Sequence, residues 1–138
     1  MAAKDKFHDT VKNGLIKEGW TITNDPLYLG FGGVDLYADL GAEKVIAAQK
    51  ENQRIAVEIK SFLGLSVVSE FHLAVGQVMN YRLVLQQKDP ERILYLAVPA
   101  DVYETFFKLE FTRLAIRNYQ LSIIVYDVEQ EAILQWIS

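Results

Sequence analysis

The chain has 138 residues, 51% hydrophobic and 23% charged, which is enough apolar mass for one domain spanning 1–138 with its own core and excludes a disordered segment. It has no cysteine, so disulfides, thiolate metal sites and a cysteine nucleophile are excluded, and no apolar run reaches the roughly 18–20 residues of a membrane span. The net charge of −4 argues against a dedicated DNA-coating protein, whose affinity would come from basic side chains on phosphates.

The acidity is uneven: beyond residue 100, only Lys108, Arg113 and Arg117 stand against Asp101, Glu104, Glu110, Asp127, Glu129 and Glu131. A nuclease with catalytic carboxylates remains compatible with such a balance. The start, "MAAKDKFHDTV", has no apolar secretory core. A reducing, cytoplasmic setting without a membrane is the expectation.

In chain order, Phe7, Val11, Leu15 and Ile16 predict a helix over about 4–18, with Gly19 at its left-handed C-cap and Gly14 at a close packing point. "WTIT" predicts a strand that "NDP" stops. "GFGG" is a loop, because glycine is missing where a dinucleotide motif needs it and Asp35 stands instead. "VDLYADL" and "EKVIAAQ" read as extended, interrupted around Gly41. "KENQR" is a hairpin turn into "RIAVEIKSF", whose alternation predicts a half-buried strand.

Phe71, Val75, Val78, Met79 and Leu83 recur at helical spacing over 67–88, and Gly76 would let that helix approach a neighbour closely. "RILYLAV", apolar on both faces, is a buried central strand. Asp101 and Glu104 resemble a capping box. A helix over 111–119 and two strands, "LSIIVYDV" and "EAILQWI", complete a mixed α/β fold with helices on a central sheet. Phe106, Phe107, Phe111 and Tyr119 suit the core or a subunit contact.

Glu58 and Lys60 share one face of their strand. A carboxylate there, with the Ile59 carbonyl, can hold a hard divalent cation, and the ammonium can stabilise charge on a phosphate. Alone, the triplet also fits a solvated strand. A second carboxylate would come from Asp39 or Asp35, with Asp39 preferred because it stands nearer the hairpin; Glu43 reads as a solvated strand end. With the turn centred near Asn52, the residue opposite Glu58 would be about Ile46, so Asp39 would need a bent strand. Gln77 and Tyr81 share a helix face and could brace the lysine or touch phosphate. His8, near the start of the first helix, could line a site on the sheet's edge but reads more readily as a surface or capping residue.

The succession "VDLYADLGAEK", "IAVEIKSF", "GQVMNY" resembles the PD-(D/E)xK nuclease superfamily. The resemblance implies a restriction-endonuclease-like mixed β-sheet core flanked by helices, with Asp39, Glu58 and Lys60 catalytic, Asp39, Glu58 and Ile59 around Mg²⁺ or Mn²⁺, and Gln77 and Tyr81 as the Q-x-x-x-Y element of its RecB-like branch. His8 stands where that superfamily often has glutamate, and no proline precedes Asp39. Across "KEGWTITNDPLYL", "GGVDLYADLGAEKVIAAQK", "SEFHLAVGQVMNYR", "ERILYLAVP" and "IVYDVEQEAILQWI" the chain resembles the XisH family of cyanobacterial fdxN-element excision controlling factors. That implies a DNA-associated factor in programmed excision, acting with a site-specific recombinase and an XisI-like companion. Three readings follow: a metal-dependent endonuclease; a non-catalytic binding module working through XisI, recombinase or DNA contacts; and an assembly protein dimerising through exposed aromatics. A homodimer is compatible with all three.

Overall fold

The computed structural model describes residues 4–47 and 51–138. Helix α1 (His8–Lys17) leads to strands β1 (Thr21–Asn24), β2 (Leu27–Tyr28), β3 (Tyr37–Ala38), β4 (Leu40–Ile46) and β5 (Glu51–Ile59). The chain continues through α2 (Val67–Lys88), β6 (Ile93–Pro99), α3 (Ala100–Glu104), a 3₁₀ turn (Phe106–Lys108), α4 (Glu110–Tyr119), β7 (Ser122–Asp127) and β8 (Ala132–Ile137). Six strands form one mixed sheet in the order β1-β4-β5-β6-β7-β8, and β2 pairs with β3 apart from it. β5–β6 and β6–β7 run parallel, while the other three pairings in the sheet are antiparallel. Among the described residues no helix is long and apolar enough to cross a membrane.

Each face of the sheet has its own core. On one, Ala56, Leu96, Val98 and Ile123 pack with Phe71, Val78 and Val84 of α2 and Ala115 of α4. On the other, Val11 and Leu15 of α1 close over Leu40, Ile55, Val57, Ile59 and Tyr126. Strand β5 is therefore interior on both faces, with Ile55–Ile59 buried throughout. This corrects the half-buried expectation: small Ala56 accommodates α2, so the polar-looking face is covered as well.

Several other expectations also shift. α1 starts at His8 rather than Lys4. Gly19 takes φ +93° as the C-cap required, and a Cβ on Gly14 would meet Ile133 Cδ1 at 3.1 Å. Gly76, by contrast, has open space around it. Met79 and Leu83 face solvent, because Ala74, Tyr81, Val84 and Leu85 fill the buried face of α2 instead. Asp101 lies inside α3 and accepts from the adjacent Val102 N–H, so no capping box forms. Phe107 is buried, whereas Phe111 and Tyr119 are exposed.

The hairpin register positions the site. Lys50, the first residue of the predicted turn, lies outside the described residues, but Glu51–Arg54 are strand and Ile46 pairs with Glu51. The turn thus falls earlier than Asn52. Leu40 pairs with Val57, and one step further sets Asp39 against Glu58. The extended segment breaks at Asp39 itself, between β3 and β4, and runs unbroken through Gly41.

Candidate active site

Asp39 sits between two strands, so its carboxylate is free to turn inward. Its Oδ2 accepts from the Ile59 N–H at 2.7 Å, which ties it to the strand end bearing Glu58 and Lys60. Glu58 is 5% exposed; its Oε2 lies 3.6 Å from Lys60 Nζ, while its Oε1 is buried with no partner. Burial and the facing Asp39 push the Glu58 carboxyl up to about 8, with Lys60 pulling the other way. Burial also raises Asp39, partly offset by the Ile59 N–H. Two acids enclosed together cannot both ionise cheaply without a cation.

Lys60 is fixed through its backbone. Its N–H donates to the Ala97 carbonyl at 3.0 Å and its carbonyl accepts from the Tyr126 hydroxyl at 3.0 Å. The next residue, Ser61, donates its N–H to Asp5 Oδ2 at 3.0 Å. The strand end carrying both charged side chains is therefore held from β6, β7 and the segment before α1.

Tyr81 of α2 faces the acids. Its phenol is pushed up to about 12 by burial and then by the Glu58 and Asp39 charges, which the Gln77 amide offsets only in part. Gln77 Oε1 is itself buried without a partner. Asp35 goes elsewhere: it accepts from the Tyr28 hydroxyl at 2.6 Å on the exposed β2–β3 side.

His8 departs most from expectation. It is 3% exposed, with Nε2 at 2.7 Å from Asp25 Oδ1 and Nδ1, buried and unpartnered, 3.9 Å from Asp39 Oδ1. Lys12 donates to the other Asp25 oxygen at 2.8 Å. Burial pushes Asp25 up, but Lys12 and His8 outweigh it and the carboxyl falls below its ordinary value. His72 is exposed. Asp5, Lys12, Asp25 and Tyr126 were not singled out in the sequence, and only the "NDP" turn marked the vicinity of one of them.

Chemically, the arrangement offers two enclosed carboxylates short of positive charge and an ammonium beside them. Among the described residues, no three His, Asp or Glu side chains already form a closed metal cluster.

The XisH protein family model matches residues 1–134. The chain belongs to the XisH family. An XisH family protein from Nostoc punctiforme is 51% identical, covering 97% of this chain and 100% of that one, with a TM-score of 0.89. A fdxN element excision controlling factor from Anabaena variabilis is likewise 51% identical, covering 96% and 98%, with a TM-score of 0.87. No curated protein matches.

Proposed function

We propose that this XisH protein is a metal-dependent endonuclease on a restriction-endonuclease-like fold, hydrolysing DNA phosphodiesters in programmed element excision. The supporting observation is the pairing of half-buried Asp39 with buried Glu58, which has an unpartnered oxygen and a carboxyl pushed up to about 8. A divalent cation is the group such a pair lacks. The donors are hard oxygens, suited to Mg²⁺ or Mn²⁺.

Asp39, Glu58 and the Ile59 carbonyl would hold the ion. When bound, it supplies Lewis acidity and lowers the pKa of attacking water. The chain's own residues do the rest. Lys60, anchored by Tyr126 and Ala97, directs its ammonium to the negative charge that gathers on phosphate oxygens during displacement. Tyr81, kept neutral by its raised pKa, can donate a hydrogen bond, and the free Gln77 oxygen can accept one from Lys60 or from a nucleotide. His8, braced by Asp25, presents Nδ1 at the Asp39 side. In this reading a cytoplasmic protein acts with an XisI-like companion and a site-specific recombinase, and as a homodimer it could address both strands.

Plasmid nicking with Mg²⁺ or Mn²⁺ tests the proposal. Wild type should convert supercoiled plasmid to open circle, while Lys60→Ala and Glu58→Gln should lose at least a hundredfold. Equal rates in all three would remove this site from the chemistry.

The net charge of −4 and His8, paired with Asp25 at 2.7 Å where the resemblance leads one to expect glutamate, favour a second reading, in which a non-catalytic module on the same fold works through XisI, recombinase or DNA contacts. Calorimetry separates the two. Absence of Mg²⁺ and Mn²⁺ binding, with tight XisI binding, selects the second.

A further inference from the structure

Away from the acid pair, α4, the 3₁₀ turn and β7 enclose a cleft of about 400 Å³ lined by Tyr103, Phe107, Lys108, Arg113, Arg117 and Ile123. The stretch beyond residue 100 contains only three basic side chains among six acidic ones, and all three open into this cleft. None of the three forms an ion pair among the described residues. Arg113 and Arg117 stand one turn apart on α4, where like charges repel. Lys108 Nζ lies 4.5 Å from the centre of the Tyr103 ring, a cation–π contact that leaves its N–H donors available.

The floor is of the opposite character: Phe107 and Ile123 are buried and apolar. A ligand matching both parts has a flat, weakly polar body and a phosphate. Guanidinium forks suit phosphate oxygens, the Tyr103 ring suits a base, and the volume falls within the ordinary ~300–1,000 Å³ range of ligand sites. We propose that this cleft binds a nucleotide unit, with phosphate on Arg113, Arg117 and Lys108 and the base along the half-buried Tyr103. The unit could belong to a DNA strand or be a free nucleotide, and both present the same chemistry. Ile123 shares the α2-side core with Ala56 of β5, so the cleft lies on the same face as Glu58. Ile123 pairs through Leu96 with Glu58, two strands across, about 10 Å between backbones at ordinary strand spacing. The inference goes beyond the nuclease reading and does not require cleavage.

The test is anisotropy of a fluorescein-labelled dT12 with the full chain in EDTA, competed by dTMP and by inorganic phosphate, with Ile123 methyl shifts recorded in parallel. Arg113→Gln/Arg117→Gln, altering only exposed side chains, should weaken binding tenfold or more and lower the salt slope by about 1.4. Competition by dTMP with an Ile123 shift identifies a free-nucleotide site; an Ile123 shift with dT12 alone identifies a strand site. Either supports the proposal. Unchanged affinity in the double variant, no Ile123 shift, or no binding by any probe overturns it. Because no divalent metal is present, an inert Asp39–Glu58 pair would leave these results unaffected, and failure here would leave nicking untouched.

Discussion

Strand β5 carries a charged cluster at each end. At its start, Arg54 donates to Asp89 at 2.5 Å and Arg92 donates to the other Asp89 oxygen at 3.0 Å. Each charge has a partner at the surface, and Asp89 is held below its ordinary value, first by the Arg54 bond. At its end, Glu58 and Asp39 are enclosed with one nearby lysine, and both carboxyls are raised, chiefly by burial. The first cluster stabilises the fold. The second opposes it, as the proposed cation site would before its ion is bound.

Glu58→Gln tests this contrast with the largest expected effect. The folded state keeps the Glu58 proton up to about pH 8, whereas the unfolded chain releases it near 4.5. Its destabilisation is therefore absent below pH 4.5 and grows as pH rises through 4.5 to about 8. At about 1.4 kcal/mol per unit, a cost of a few kcal/mol follows. Urea denaturation at pH 8.5 should find Glu58→Gln more stable than wild type by ~2–4 kcal/mol, with the slope between pH 5 and 8 largely gone. A less stable variant would mean that the acid pair holds the fold together.

Asp89→Asn should act in the opposite direction and more weakly. A depressed carboxyl contributes stability above its ordinary value of 3.8, lost as pH falls through the lower folded value. At neutral pH the variant should lose on the order of 1 kcal/mol or less, and added salt should shrink the difference because the cluster is near the surface. A double-mutant cycle makes the comparison direct. Coupling should be repulsive for Asp39→Asn with Glu58→Gln and attractive for Arg54→Gln with Asp89→Asn. Like signs would collapse the distinction between the two ends.

Much of this architecture was legible. Helix α2 occupies Val67–Lys88 as its apolar spacing and the "KDPE" stop predicted, and "RILYLAV" is the central strand its two apolar faces implied. Of the candidate site, Glu58 with Lys60, Asp39, and Gln77 with Tyr81 stood out in the sequence, whereas the contacts that surround them did not. That His8 is buried depends on Asp25, seventeen residues away, and local pattern carries no trace of that contact. The strand pairing hinged on where the hairpin turns. A polar "KENQR" looks like a turn, yet Glu51–Arg54 are paired strand, because edge-exposed strand residues are polar too. Correcting that position brought Asp39 opposite Glu58 by register alone.

A single hydrogen bond holds the Glu58 end of β5 from across the sheet. Tyr126 is fully buried, and its hydroxyl donates to the Lys60 carbonyl at 3.0 Å. Tyr126→Phe keeps the ring and its packing against Phe7 and removes only that donor. A lone hydrogen bond of this kind contributes about 1 kcal/mol, so denaturation should show a loss near that size at both pH 5 and pH 8.5. Catalysis should suffer more than stability: freed from one anchor, Lys60 no longer keeps its 3.6 Å approach to Glu58, and positioning errors weaken charge stabilisation steeply. Plasmid nicking should fall about tenfold, with binding of dT12 in EDTA unchanged. Unaltered nicking alongside the stability loss would mean that the Lys60 backbone is secured by its neighbours and that the hydroxyl serves the core alone.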